Sequence, residues 1–313
     1  MTDIRVGISG WRYAPWRGDF YPAGLPQRRE LEFASRCVNS IEINGSFYAL
    51  QTPQRYAGWH DEAPSDFIFS VKAPRYITHV RRLQDVEVPV ANFFASGIFA
   101  LKKKLGPILW QFPPSFKFDA AVFEKFLKLL PRSTARALDC ASHSDERLHK
   151  EGYLQAPVKK RLRHAVEIRN DSFVCDEFID LLRRFNMALV VADTAGKWPY
   201  IEEVTSDFMY LRLHGDEKLY SSGYSDAALN RWQKRIELWS QGDEPHDAHR
   251  VSKHAAEKRA QRDIYCYFDN DIKVRAPYDA RSLLERLNLA ATLEAKPGDD
   301  FAAHNVSAQQ GAA

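Results

Sequence analysis

Charged and amide side chains recur at one kind of position along this chain, directly after or among short aliphatic runs: Ile41-Glu42-Ile43-Asn44, Val71-Lys72, Trp110-Gln111, Glu167-Ile168-Arg169, Ala192-Asp193, Arg212-Leu213-His214 and Asp269-Asn270. Glu42, Glu167 and Asp193 are candidate general acids and bases, their pKa values to be separated by whichever cation lies closest. His214 is the candidate proton carrier, because imidazole titrates nearest neutrality. Arg169 and Arg212 carry planar forks suited to a carboxylate or phosphate, and Lys72 and His79 add positive charge. Asn44, Gln111 and Asn270 are candidate hydrogen-bonding partners for a ligand; the phase of the last strand leaves open whether Asp269 or Asn270 faces the others. Trp11 and Tyr13 follow a strand end and offer flat faces on which a sugar or base can stack.

Competing readings of the same residues are simpler. Ion pairs such as Glu42–Lys72 and Glu167–Arg212 would form a network that only closes the fold. Phe20, Tyr21 and Phe47 read as the small core of a folded loop. Glu42, Glu167, Asp193 and His214 also make an O/N donor set for a divalent metal, without HxH or HExxH spacing to support it; no cofactor is expected. The stretch Val6-Gly7-Ile8-Ser9-Gly10 lacks both GxGxxG and GK[ST] spacing, so its glycines read as turn-formers. The four cysteines form no CxxC pair, and His246, His249 and His254 read as a solvated segment.

Elements able to position these residues alternate regularly. Strand-like runs fall at residues 4–10, 38–47, 67–73, 107–112, 164–169, 188–193, 208–214 and 263–270. Amphipathic segments lie between them at 27–37, 54–62, 90–105, 120–130, 176–185, 227–239 and 278–288, with Asp119 and Asp226 as expected helix N-caps. Eight strands in β/α alternation predict a TIM (β/α)8 barrel. Side-chain phase separates this from an open sheet. Ile41 and Ile43, Val166 and Ile168, and Met209, Leu211 and Leu213 share one face, and polar residues occupy the other, late in each strand. A lumen that turns polar at its carboxyl end produces that pattern, whereas a central strand covered by helices on both faces tolerates it poorly.

Residues 135–161 are too long for an ordinary connection and read as an insertion before the fifth strand, forming a surface flap. One barrel domain is expected over 1–293, with a disordered tail over 294–313. Basic and acidic residues nearly balance, 44 against 41, for a net charge of +3, so a polyanion would need a local patch. The absence of a signal-like start and of a long apolar run predicts a cytoplasmic protein that does not enter a membrane.

The chain resembles the DUF72, or YecE-like, family. The resemblance rests on Gly7-Ile8-Ser9-Gly10-Trp11 with Trp16 and Phe20-Tyr21-Pro22, Ile41-Glu42-Ile43-Asn44 with Phe47-Tyr48, and Phe69-Ser70-Val71-Lys72 with Thr78-His79. It continues through Gln111-Phe112-Pro113-Pro114, Glu167-Ile168-Arg169, Arg212-Leu213-His214-Gly215 and Tyr267-Phe268-Asp269-Asn270. It implies a TIM-type barrel and supplies no reaction. Asn170, Phe173 and Asp279 depart from the His, Trp and Asn usual in the family, so no role of an imidazole at position 170 carries over. The residues predict an enzyme acting by acid/base chemistry on a small anionic substrate, a phosphorylated sugar or nucleotide-like molecule, in the cleft at the strand ends. The alternatives are a non-catalytic nucleic-acid or phospho-ligand binder and a glycosidase using Glu42 and Glu167 as its carboxylate pair.

Overall fold

In a computed structural model, described here for residues 2–148, 152–216, 223–270 and 273–299, eight parallel strands close into a barrel in sequence order. They are β1 (Ile4–Ser9), β2 (Ser40–Ile43), β3 (Ile68–Lys72), β4 (Leu105–Gln111), β5 (His164–Glu167), β6 (Ala188–Asp193), β7 (Phe208–Leu213) and β8 (Asp263–Phe268). The ring closes where β1 pairs with β8, from Ile4 opposite Ile264 to Ile8 opposite Phe268. The expected barrel is therefore present, each strand falling within or overlapping its expected run.

Helices α1 (Glu30–Cys37), α2 (Gly45–Tyr48), α3 (Pro53–Glu62), α4 (Glu87–Ala95), α5 (Ala120–Leu129), α6 (Thr134–Ala141), α7 (Asp176–Phe185), α8 (Asp226–Ser240) and α9 (Arg275–Arg286) lie between or after the strands. Asp119 caps α5 by accepting from Val122 N at 3.0 Å. At α8 the cap is Ser225, whose hydroxyl accepts from Ala228 N, and Asp226 occupies the first turn, where its charge suits the helix dipole. The helix expected over 90–105 is broken at Gly97. Its φ of +105° and a Cβ that would sit 2.5 Å from Pro53 Cα admit only glycine, and a short 3-10 segment follows (Ile98–Lys104).

Two apolar layers hold the barrel. The larger lies between strands and helices and contains Ile41, Ile43, Val166, Met209, Leu211 and Leu213, the faces assigned from phase. The smaller fills the lumen with Leu109, Ala165, Ala188, Val190, Ala192, Phe208, Tyr210, Tyr265 and Tyr267. Tyr267 OH sits 2.7 Å from both Ser40 Oγ and Ser70 Oγ, so this floor satisfies its own hydroxyls, as buried polar groups must.

The described part of the expected surface flap, 135–148 and 152–161, is packed down. Helix α6 packs on α4, a nearly all-apolar helix, and the segment beyond it is tied down by a reciprocal Asn92–Asp145 amide–carboxylate pair and by Tyr153 N donating to Ala95 O. The segment covers apolar surface that α4 would otherwise expose. Past Leu293 the chain stays packed: Ala295 is buried, its N donates to Arg36 O, and Gly298 N donates to Phe20 O. The rest of the expected tail, 300–313, lies outside the described residues.

Candidate functional site

Strand ends deliver polar groups to one end of the lumen, directly above the aromatic floor. Arg212, from β7, is fully buried at their centre. Its Nη1 donates to Glu167 Oε2 at 2.7 Å; its Nη2 lies 3.0 Å from Glu42 Oε1, 2.7 Å from Asp269 Oδ2 and 3.0 Å from Ser9 Oγ. The remaining oxygens of Glu42 and Glu167 are also taken. Tyr210 OH donates to Glu42 Oε2 at 2.6 Å, while Gln111 Nε2 and Arg169 Nε both donate to Glu167 Oε1, at 2.9 and 2.8 Å. Ser9 Oγ donates to Glu42 Oε1 at 2.5 Å and accepts from Asn44 Nδ2 at 2.8 Å. Burial pushes the Glu167 carboxyl up, but the Arg169 and Arg212 guanidiniums outweigh it and hold that carboxyl well below the usual range. Burial likewise opposes ionisation of Asp269, and Arg212 with His214 overrides it, leaving its pKa at about 2.

This geometry corrects several expectations. Glu42 and Glu167 are fully buried, share one guanidinium and have all four oxygens engaged, so they cannot flank a sugar as an acid and base. The Arg212 fork is filled by protein carboxylates and is not open to a ligand anion. His214 is fully buried with Nδ1 3.2 Å from Asp269 Oδ2, and burial lowers its pKa; it supports Asp269 and presents no surface to a substrate. Asp269 is the lumen member of its pair. Asn270 turns away, fully buried, and donates to Asp279 Oδ2 at 2.8 Å. Of the two expected ion pairs, Glu167–Arg212 forms and Glu42–Lys72 does not.

Asp193 stands outside the Arg212 network. Its Oδ2 accepts from Tyr224 OH at 3.1 Å, and burial raises its pKa. The proposed metal donors are thus divided between the guanidinium cluster and a separate tyrosine, and among the described residues no group of three or more His, Cys, Asp or Glu is arranged to hold a metal ion.

The rim of the cluster has a different character. Lys72, at the end of β3, is 7% exposed; its Nζ sits 4.2 Å from the centroid of the Phe47 ring and makes no ion pair or hydrogen bond among the described residues. Burial lowers its pKa, Arg212 adds to the effect, and Glu42, Glu167 and Asp269 oppose it, for a net value of about 8. His79 packs edge-on against the same Phe47 ring, centroids 5.1 Å apart; burial and then Lys72 bring its pKa down to about 4. Arg169 uses only Nε on Glu167 and lays its guanidinium on Trp198, 3.8 Å from the ring centroid. Phe47 therefore belongs to the site and not to a loop core. After Ile43 the chain turns into the single-turn helix α2, which carries the ring back over Lys72. Phe20 and Tyr21, by contrast, pack on Trp16 and Phe33 as expected of a loop core.

A cleft of about 350 Å³ lies at the carboxyl ends of β1 and β2, lined by Trp11, Tyr13, Asn44, Arg55 and Trp59 among others. Trp11 and Trp59 meet edge to face at 5.3 Å. Tyr13 OH donates to Ser9 O at 2.6 Å, its ring occupying the space that any side chain at Gly10 would fill. Sequence reasoning assigned no role to Ser9, Tyr210 or Trp198. Tyr210 carried a signal in its shared phase with Arg212, whereas Trp198 sits in a loop and carried none.

A family model described as "Protein of unknown function DUF72" matches residues 5–300. The chain belongs to the DUF72 family. Among curated DUF72-type relatives, UPF0759 protein YunF of Bacillus subtilis is 30% identical over 121 residues, 36% of this chain and 41% of that protein. UPF0759 protein YecE of Escherichia coli K12 is 27% identical over 113 residues, 36% of this chain and 39% of that protein. The chain thus spans about two-fifths of the curated relatives it matches. A crystal structure of a DUF72 protein from Thermotoga maritima superposes with a TM-score of 0.69 at 23% identity, covering 91% of this chain and 99% of that one. One from Enterococcus faecalis gives 0.64 at 17%, covering 91% and 96%; both likenesses concern the fold. No helix among the described residues is long and apolar enough to cross a membrane.

Asn170, Phe173 and Asp279 serve local structure. Asn170 caps the turn Asp171–Phe173 through Ser172 N, and Phe173 packs among Phe112, Phe116, Phe118, Phe123 and Phe178. Asp279 accepts from Asn270 and from Tyr224 N, and burial raises its pKa to about 6.

Proposed function

We propose that this DUF72 protein is a barrel enzyme acting by acid/base chemistry on a small anionic substrate, with Lys72 as the proton-transfer group and Arg169 and Lys72 as the anion contacts. The observation that supports this reading is that Lys72 Nζ makes no ion pair or hydrogen bond among the described residues. A buried ammonium with no direct hydrogen-bond acceptor among the described residues is costly, and a pKa near 8 lets it donate and accept protons close to neutrality. Among the described residues Arg169 hydrogen-bonds through Nε alone, and its guanidinium lies on Trp198. The aromatic cleft at the ends of β1 and β2 would take the uncharged body of a sugar or nucleotide. Carboxylate chemistry drops out of the mechanism, because Glu42 and Glu167 are fully engaged.

Calorimetric titration with inorganic phosphate, sugar phosphates and nucleotides at two ionic strengths tests the reading. The expected result is salt-sensitive binding that Arg169→Ala weakens by about tenfold or more, the loss of one charge-assisted contact. Equal binding of neutral sugars to the wild type and to Arg169→Ala would overturn it. Binding without turnover of any ligand would leave a phospho-ligand binder.

A further inference from the structure

We infer that Lys72 is a carbonyl-capturing amine, forming an imine through Nζ with a small aldehyde or ketone whose anionic group is held by Arg169. The inference rests on the anionic-substrate reading above and deepens it by naming the functional group that reacts.

A comparison among lysines points to Lys72. Burial lowers the pKa of three described lysines, Lys72, Lys104 and Lys160. Lys104 Nζ donates to the carbonyls of His60 and Ala63, and Lys160 Nζ donates to that of Leu105, all beside the amino ends of β3 and β4. Those two ammonium groups are structural. Lys72 has no such acceptor among the described residues. Its backbone is fixed instead, by Ser46 Oγ donating to Lys72 O at 2.7 Å, and its amine is held against the Phe47 face at the open end of the lumen. A lysine desolvated beside other cations is the arrangement that makes an amine nucleophilic near neutral pH.

Charge balance in the cluster favours the product. Glu42, Glu167 and Asp269 face Arg212, Arg169 and Lys72, three negative charges against three positive. Loss of the Lys72 proton leaves the cluster one charge negative. In the reaction, the ammonium first releases a proton and its lone pair attacks the carbonyl carbon. The C–N bond forms as the C–O π pair moves to oxygen, which takes up a proton. The nitrogen then releases its second proton, the carbinolamine hydroxyl takes up a second proton and leaves as water, and the nitrogen lone pair closes the C=N bond. The sum is ammonium plus carbonyl giving iminium plus water, with no oxidant or reductant. The iminium restores the positive charge opposite the three carboxylates. His79, kept neutral by burial and by Lys72, packs on the same Phe47 ring.

Reductive trapping on the full chain tests this, with glyoxylate (an aldehyde bearing a carboxylate) as one probe and acetaldehyde as its uncharged counterpart. Each is incubated with the protein at pH 7 and sodium borohydride, which delivers hydride to any iminium, and modified lysines are located by peptide mass spectrometry. Lys72 should be labelled by glyoxylate about tenfold more than the average of the other lysines, because a lower pKa leaves more free amine at pH 7. Inorganic phosphate should protect it, and acetaldehyde should show less preference for it. Lys72→Arg should abolish that labelled peptide while phosphate still binds. Glyoxylate labelling of Lys72 no greater than that of surface lysines, with Arg169-dependent phosphate binding intact, overturns the imine and leaves the anion site standing. Preferential labelling by both aldehydes, unaffected by phosphate, overturns the anion site and retains the reactive amine. Because the decisive readout is on the wild-type protein, it does not depend on a variant folding.

Discussion

Two groups of charges share the mouth of this barrel and behave in opposite ways. Around Arg212 every carboxylate oxygen of Glu42 and Glu167 has a donor, and the guanidinium is shut away from solvent. On the rim, Lys72 and Arg169 meet aromatic faces, and among the described residues neither the ammonium nor the Nη groups make a hydrogen bond. A charge in a lumen is therefore not evidence of a binding site; what matters is whether the protein has already supplied its partners. On the reading proposed above, the inner group is structural and the outer group is a site kept at some cost to stability.

The contrast is sharpest in the largest predicted effect. Arg212→Leu strands Glu42, Glu167 and Asp269 without their shared cation, and should destabilise the fold by about 3–5 kcal/mol in urea or guanidinium unfolding. A loss below about 1 kcal/mol would mean that the inner cluster is not the structural hub described.

Lys72→Met should act in the other direction. The folded-state pKa of Lys72, about 8, lies below its ordinary value of 10.5, so at pH 7 the folded protein bears the cost of keeping a proton on a buried amine. Removing the amine should raise stability by about 3 kcal/mol at pH 7, as an upper figure. The sign fixes the pH course. The wild type is penalised fully below pH 8 and recovers as pH rises towards 10.5, so the variant's advantage should have largely gone in matched unfolding curves at pH 10. A variant less stable than wild type at pH 7 would place Lys72 with the structural group.

The smallest expected effect concerns Trp198. Trp198→Ala removes the ring under Arg169 and should weaken phosphate binding about fivefold, near 1 kcal/mol for a partly desolvated cation–π contact, with the midpoint of thermal unfolding almost unchanged. Unaltered phosphate affinity would show that Glu167 alone orients Arg169.

Much of the fold was legible because barrels write themselves into side-chain phase. The alternation of Met209, Leu211 and Leu213 with Tyr210, Arg212 and His214 placed one set under the helices and the other in the lumen, as found. The same logic brought Glu42, Gln111, Glu167 and Arg212 together. It could not tell which cation would be enclosed, since Arg169 and Arg212 both sit late on their strands. Their fates diverge because Arg212 lies within β7 and Arg169 lies beyond the end of β5. Asp269 and Asn270 differ by one position, and the chain leaves the β8 pleat at Phe268, just where phase would have decided between them. Phe47 was misjudged because the strand pattern was carried past Ile43, and a one-turn helix reverses where its ring points. Trp198 reaches Arg169 from the loop after β6, a contact that no local spacing encodes.

The contacts of Arg212 also bear on how the chain folds. Its partners come from β1, β2, β5 and the segment after β8, so Glu42 and Asp269 are far apart in sequence and meet only when β1 joins β8. A half-assembled barrel would bury some of these charges without the others and lack the compensation that makes them tolerable. Partial closure is thereby penalised, and the long-range seam, already the slowest kind of contact to form, becomes a step that either completes with all four groups in place or retreats. The ion cluster at the mouth acts as a latch on assembly, making the last strand pairing cooperative with the first.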